Sequence, residues 1–215
     1  MRKLILKISI STDGFVGGPN GELDWIFTDL DQGATEWTVA QISKAGAHLM
    51  GRKTFHDMAA YWPSSSEPFA QPMNEIPKIV FSRRGFDPAA AGKGTAALAD
   101  ATRIKRQGGA NTVADLPASA KTWAEATVLT GDMTQEIQKL KKQPGKDLVA
   151  HGGAGFAQNL VQTGEIDEYW LLVHPVVLGR GLPLFSQVKR TTRFELLSSK
   201  QFASGAIANM YRVRA

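Results

Sequence analysis

Hydrophobic and polar positions fall in short blocks along this chain, and the blocks switch between a two-residue and a three-to-four-residue period. Leu4, Ile5, Leu6, Ile8 and Ile10 predict an opening strand that ends at the turn Asp13-Gly14. Gly17-Gly18-Pro19-Asn20-Gly21 reads as a loop. Trp37, Val39, Ile42 and Ala45 predict a helix over 35–46, and Ala47 to Met50 a short buried strand. Gly51-Arg52-Lys53-Thr54 then turns into a helix that runs to about Ala60, where Trp62-Pro63 ends it. A strand follows at 77–82 and another at 126–130. Asp132 is placed to cap a helix whose Met133, Ile137 and Leu140 share one face, and Pro144-Gly145 stops it. A strand at 147–151 leads through Gly152-Gly153-Ala154-Gly155 into a helix from Phe156 to about Gln162. The last elements are a strand at 168–174 and a hairpin of 192–202 with 206–214 around Ser204-Gly205.

Strand–helix–strand alternation implies parallel pairing through right-handed crossovers, and the final hairpin adds antiparallel strands. The expected fold class is α/β, with a mixed, mostly parallel sheet. The 215 residues fit one domain spanning 1–215. Residues 85–124 stand apart: they are rich in Ala, Gly, Lys and Thr and poor in large apolar side chains, which predicts an inserted arm or loop without its own core.

Composition narrows the chemistry. The chain has no cysteine, which excludes disulfides, thiolate metal sites, iron–sulfur clusters and a cysteine nucleophile. His48, His56, His151 and His174 lack metal-ligand spacing, so no metal site is expected. His48, His151 and His174 fall in or beside strands and read as packed, hydrogen-bonded side chains. No apolar run is long enough to span a membrane, and the first residues carry no signal-peptide core, so a soluble cytoplasmic protein is expected. Twenty-five Lys and Arg against 20 Asp and Glu leave a formal charge of +5, which raises the choice between nucleic acid and a smaller anion.

Three strand ends carry anion chemistry. At Gly51-Arg52-Lys53-Thr54 a strand runs into a helix whose first turn offers unpaired N–H groups and the positive end of its dipole. Ser82-Arg83-Arg84 follows the next strand and suits a phosphomonoester, because guanidinium forks around phosphate. Gly152-Gly153-Ala154-Gly155-Phe156 lets a backbone approach a pyrophosphate closely, although its spacing is not G-x-G-x-x-G. Each has an ordinary alternative: a tight strand–helix turn, a solvated basic loop, a helix packed closely on a sheet. Together they fit a phosphorylated dinucleotide, which needs a pyrophosphate place and a 2′-phosphate place.

On four blocks the chain resembles the dihydrofolate reductase superfamily, in the branch that holds the reductase domain of bacterial riboflavin biosynthesis and its stand-alone relatives. The blocks are Ile8 to Gly17, Leu49 to Phe55, Leu148 to Phe156 and Leu172 to Gly181. The resemblance implies a three-layer dihydrofolate reductase-like fold and hydride transfer from NADPH to a small, heterocyclic substrate of the pyrimidine or pteridine kind. It assigns the cofactor phosphates to Gly51, Arg52, Lys53 and Thr54. It sets the adenosine 2′-phosphate against Ser82, Arg83 and Arg84, and the pyrophosphate and nicotinamide against Gly152, Gly153, Ala154 and Phe156. Val16 and Gly17 border the nicotinamide. A homodimer, common in that branch, is implied as well, with the strand around Trp170 as a place to pair or pack.

The proton donor stays open. Asp13 and Glu36 are the leading candidates, with Asp24, Asp29 and Asp31 nearby in sequence. Asp13 reads more readily as a turn residue that accepts backbone N–H bonds. Glu36 reads more readily as a charge favoured at a helix N-terminus. The nearest named activity in the branch is 5-amino-6-(5-phosphoribosylamino)uracil reduction, which needs a further phosphate site; Lys105, Arg106, Arg180 and Lys189 are available for one. A dihydrofolate or pteridine reductase and a non-catalytic nucleotide-binding protein of the same fold are the alternatives. Nucleic-acid binding through Arg103, Lys105 and Arg106 lacks aromatic interleaving or a recognition helix.

Overall fold

The computed structural model describes residues 1–28, 31–90 and 118–214. Their strands are β1 (Leu4–Ser11), β2 (Ala47–Gly51), β3 (Lys78–Phe81), β4 (Thr127–Leu129), β5 (Leu148–Ala150), β6 (Glu168–His174), β7 (Phe194–Gln201) and β8 (Ile207–Val213). They form one sheet in the order β4-β3-β2-β5-β1-β6-β8-β7. β1 to β6 run parallel to their neighbours among themselves, whereas β8 is antiparallel to both β6 and β7. The expected α/β class, with a mixed, mostly parallel sheet and a terminal antiparallel hairpin, is the observed one.

β1 sits between β5 and β6, so both of its edges are paired. Its side chains alternate between two cores, as the pleat requires. Leu4, Leu6, Ile8 and Ile10 enter the core shared with α5 (Met133–Lys142) and α6 (Ala154–Thr163), through Ile137, Leu140, Phe156 and Leu160. Ile5 faces the other core, with Ile42 of α2 (Gln32–Ile42), Phe55 and Ala59 of α3 (Arg52–Tyr61) and Met73 of α4 (Ala70–Glu75). Helices on both faces make the three layers.

Several boundaries move for local reasons. α2 begins three residues before the expected start because the Asp31 carboxylate accepts the Ala34 N–H at 2.9 Å and nucleates the first turn there. α6 begins at Ala154 rather than Phe156, directly after the glycine pair. Two short helices, α1 (Asp24–Phe27) and α4, carry too few residues for a periodic signal.

The expected insertion at 85–124 is corrected at its far end. Residues 118–123 form a 3-10 turn, and Trp123 is fully buried in the α2–α4 core. Its indole N–H donates to Asn74 Oδ1 at 2.8 Å. Residues 91–117, with Arg103, Lys105 and Arg106, lie outside the described residues. The strand around Trp170 cannot pair with a second copy: β6 is bonded to β1 on one side and β8 on the other, and Trp170 is buried. Among the described residues no helix is long and apolar enough to cross a membrane.

Removing the Trp123 ring tests its place in the core. Trp123→Ala should lower unfolding free energy by about 3–5 kcal/mol in urea denaturation. A loss below about 1 kcal/mol, as for a surface loop residue, would contradict the assignment.

Candidate active site

Two strand–helix turns touch each other at the carboxyl ends of β2 and β5. A Cβ on Gly51 would stand 2.9 Å from Phe156 Cβ, so only glycine lets the first turn of α6 approach β2 this closely. On the other side, Gly153 has φ of +98° and a Cβ there would run into Thr54 Oγ1. Each turn thus supplies a glycine to the other's side chain, and the N-termini of α3 and α6 are held side by side.

The N-termini of these two helices differ from those of the other helices of ten or more residues. α2 and α5 are capped by the carboxylates of Asp31 and Asp132, which accept from Ala34 and Gln135. α3 and α6 have glycine at the N-cap and no side-chain cap. Their first N–H groups and the positive ends of both dipoles therefore remain available to an anion.

Both turns open into one cleft of about 1580 Å³. Every expected cofactor residue except Arg84 lines it: Val16, Gly17, Gly51 to Thr54, Ser82, Arg83, Gly152 to Ala154, and Phe156. Arg84 is exposed and is not part of the wall. Arg52 lies over the Phe86 ring, 5.3 Å from its centroid, which braces its guanidinium at the mouth. The volume exceeds the roughly 300–1,000 Å³ of an ordinary small-molecule site and has room for a dinucleotide beside a second molecule.

The two leading acid candidates, Asp13 and Glu36, lie outside the cleft wall. Asp13 accepts from Ser11 Oγ at 2.6 Å and from the N–H groups of Gly179 at 2.7 Å and Leu178 at 3.2 Å. The Ser11 hydroxyl, more than any other partner, holds this carboxyl below its usual range. Asp13 is therefore a clamp between the loop after β1 and residues 178–179, outside the cleft wall. That clamp supports Val16 and Gly17, which bond to Leu182. Glu36 is exposed and bonded to Gln32, because α2 turns Asp31, Ala34, Thr35 and Thr38 toward the cleft and 36 away from it. Asp31 is occupied in capping and in accepting Ser204 N–H. Asp29 lies outside the described residues. Asp24, Asp57 and Glu67 do line the cleft, with Glu67 accepting the Tyr61 hydroxyl at 2.5 Å.

The cleft floor holds groups that the sequence pattern concealed. Lys7 lines it, and burial pushes its ammonium down to about 8. Its presence was detectable in one respect: it sits among Leu4 to Ile10 in a strand covered on both faces, where a lysine is costly unless it has a task. His151 lines the floor and its Nε2 stands 2.8 Å from His48 Nδ1. His48 Nε2 faces the Pro72 carbonyl at 3.3 Å and must donate to it, so His48 Nδ1 accepts from His151 Nε2–H. Both rings are neutral: burial first, then Lys78, holds His48 down to about 3, and burial followed by His48 holds His151 well below its ordinary value. Lys78 itself is pushed down to about 7 by burial, bonded to Thr122 Oγ1 and set over the Trp123 ring. The expectation of packed, hydrogen-bonded histidines is met at His48 and His151. It fails at His174, whose buried Nε2 has no partner.

Ile26, Phe27, Met58, Trp62 and Phe69 add apolar surface to the wall. Its cations among the described residues are Arg52, Lys53 and Arg83 on the β2–β3 side, and Lys7 on the floor. Arg180 and Lys189 are not part of the wall.

Comparison with known proteins agrees with this architecture. A family model described as the RibD C-terminal domain matches residues 2–208. The uncharacterized protein YyaP of Bacillus subtilis is 30% identical over 210 residues, covering 98% of this chain and 94% of that protein. A pyrimidine reductase-like protein of Corynebacterium diphtheriae superposes with a TM-score of 0.62 at 15% identity, over 100% of this chain and 92% of that one. The Thermotoga maritima diaminohydroxyphosphoribosylaminopyrimidine deaminase/5-amino-6-(5-phosphoribosylamino)uracil reductase superposes with a TM-score of 0.60 at 13% identity, over 99% of this chain and 57% of that one.

The neutral histidine pair has a pH signature. His48 is held below its unfolded value, so between the two values the unfolded chain binds a proton that the native chain does not, and stability falls as pH falls. From pH 7 to pH 5 the His48 contribution should be about 2 kcal/mol in denaturant titrations. His48→Gln should flatten that slope; an unchanged slope would contradict the buried neutral assignment.

Proposed function

The chain belongs to the RibD C-terminal domain family, and from that footing we propose that it is an NADPH-dependent reductase of a small heterocyclic substrate. The observation that carries the proposal is the pair of uncapped helix N-termini held together at Gly51 and Gly153, with Ser82-Arg83 at the next strand end of the same cleft. The residues present fit the dinucleotide: two N-terminal turns suit a pyrophosphate, and a serine with an arginine suits a 2′-phosphate.

In this reading Gly51, Arg52, Lys53 and Thr54 bind the cofactor phosphates together with Gly152, Gly153 and Ala154. Ser82 and Arg83 select the 2′-phosphate. Phe156 packs behind the turns, and Val16 and Gly17 form the wall beside the nicotinamide. When bound, the nicotinamide supplies a hydride. The apolar wall of Ile26, Phe27, Trp62 and Phe69 excludes water and orients a flat substrate. Lys7 keeps its proton at neutral pH and holds it over the cleft floor, where an electronegative atom of the substrate can take it.

One observation bears on the substrate. Away from the β2–β3 side, Lys7 is the cation of the cleft wall among the described residues, and Asp24, Asp57 and Glu67 line the same cleft. This favours an unphosphorylated heterocycle, of the pteridine kind, over a phosphoribosyl substrate. A homodimer belongs to the same reading; β7 is the terminal strand on the hairpin side of the sheet and the better place for it than β6.

The cofactor assignment is tested by binding. Arg83→Ala should weaken NADPH by about tenfold or more and NADH by less than about twofold in fluorescence titrations. Equal losses would contradict the 2′-phosphate assignment. Gly153→Ala should weaken both dinucleotides, because the added methyl group pushes Thr54 and the α6 turn apart.

A further inference from the structure

His151 follows β5 directly, ahead of the Gly152-Gly153 pair, and it lines the cleft. Its backbone N–H donates to the Leu49 carbonyl at 2.8 Å, which anchors the residue to β2. Strand alternation turns its ring to the face that carries Val149 and Ile5. There its Nε2 meets His48 Nδ1, with the two rings edge to face and 4.6 Å between centroids.

The protons along this pair have a fixed order. The Pro72 carbonyl can only accept, so His48 Nε2 carries its hydrogen toward it. His48 Nδ1 is then bare, and His151 Nε2 must donate to it. His151 is neutral, held so by burial first and by His48 second, which leaves its Nδ1 with a lone pair. The described residues give that nitrogen no partner, and it is not sealed in the interior: among them, the sealed side-chain atom without a partner is His174 Nε2. The pair thus presents to the cleft floor an acceptor that cannot turn into a donor, as a free imidazole can.

The surroundings narrow the donor it takes. The β1–β5 register runs through Leu6 and Ala150, so Lys7 comes next to His151, and its charge is among the causes that hold His151 neutral. A cationic donor is disfavoured beside that ammonium. An uncharged N–H is not. Trp62 and Phe69, which border the same core and also line the cleft, offer flat apolar surface to a ring that carries one.

We propose that His151 is a specificity-determining residue whose Nδ1 accepts an amino N–H of the substrate, with His48 as the positioning residue that locks the acceptor tautomer. The ligand class is a planar, uncharged heterocycle bearing an amino group. The proposal rests on the reductase reading for its place in a reaction, but the hydrogen bond itself needs no cofactor.

The test uses the full chain without cofactor, with 6-methylpterin as the amino-bearing probe and 1,3-dimethyllumazine as a probe with the same bicyclic ring and no N–H. Binding is followed by calorimetry. His151→Phe removes the acceptor and should weaken 6-methylpterin about tenfold, while 1,3-dimethyllumazine stays within about twofold. His151→Asn keeps an oxygen near the Nδ1 position and should recover part of the loss. His48→Phe should weaken 6-methylpterin although His48 does not line the cleft, and His48→Asn, whose oxygen can still accept from His151 Nε2–H, should restore it. A merely structural role would move both probes together. NMR of the unsubstituted protein with isotope-labelled histidine reads the same claim without any variant: His151 Nδ1 should carry no proton and should shift far more with 6-methylpterin than with 1,3-dimethyllumazine. A protonated His151 Nδ1, an equal loss for both probes, unchanged 6-methylpterin binding in His151→Phe, or failure of 6-methylpterin to bind the unsubstituted protein overturns the proposal. So does a loss confined to NADPH, which would give the acceptor to the nicotinamide carboxamide. Binding of 6-methylpterin with these differences by a protein that does not bind NADPH supports this proposal and contradicts the reductase reading.

Discussion

The approach of the β2–α3 turn to the β5–α6 turn governs the rest of this molecule. It is a steric constraint more than an attraction: Gly51 leaves room for Phe156, and Gly153 leaves room for Thr54. Because β2 and β5 are hydrogen-bonded neighbours in the sheet, the two turns emerge side by side, and the absent Cβ atoms let them close on each other. Two helix dipoles then point into one space. Like partial charges brought together in this way repel, which disfavours the arrangement without an anion and favours it with one. In the proposed reading, an anion in the cleft is held by backbone geometry first and by Arg52, Lys53 and Arg83 second.

A second constraint runs across the opposite rows of the sheet. On the face that carries Ile5, the central strands bury Lys78, His48 and His151 and place Lys7 at the floor of the cleft. Lys78, His48 and His151 are tolerated because each is either paired or held neutral, and Lys7 because it borders the cleft. His48 and His151 pair with each other and with a carbonyl, and Lys78 pairs with Thr122 and the Trp123 ring. Trp123 and Asn74 tie this polar row to the end of the segment after β3. The polar row continues into the floor of the cleft through His151 and Lys7, so the interior of the fold and the chemistry of the site are one electrostatic unit.

Much of this was legible in the sequence because its signals are local. The β1 pattern, the Asp132 cap and the Gly51 and Gly152-Gly153 turns each depend on a few consecutive residues, and each appears where the pattern puts it. The parallel sheet followed from alternation alone. What stayed hidden depends on distant partners. Trp123 looked like part of a weakly apolar segment because its environment comes from Phe55, Asn74 and Lys78, at least 45 residues away. Asp13 was ambiguous because the groups that occupy it, Leu178 and Gly179, lie more than 160 residues on. Glu36 was misjudged by helix phase, which the weakly amphipathic α2 does not reveal. His174 shared the pattern of its strand, and only the three-dimensional structure shows that its nitrogen lacks a partner.

The central claim is that the two glycine-locked turns and the Ser82-Arg83 corner form one phosphate-reading surface. The most direct measurement is the electron density of a crystal of this protein grown with NADPH. The account requires the pyrophosphate to lie against the N–H groups of α3 and α6, with the 2′-phosphate in hydrogen-bonding reach of Ser82 and Arg83. A dinucleotide bound with its phosphates away from both turns, or a cleft that stays empty at saturating NADPH, would contradict it.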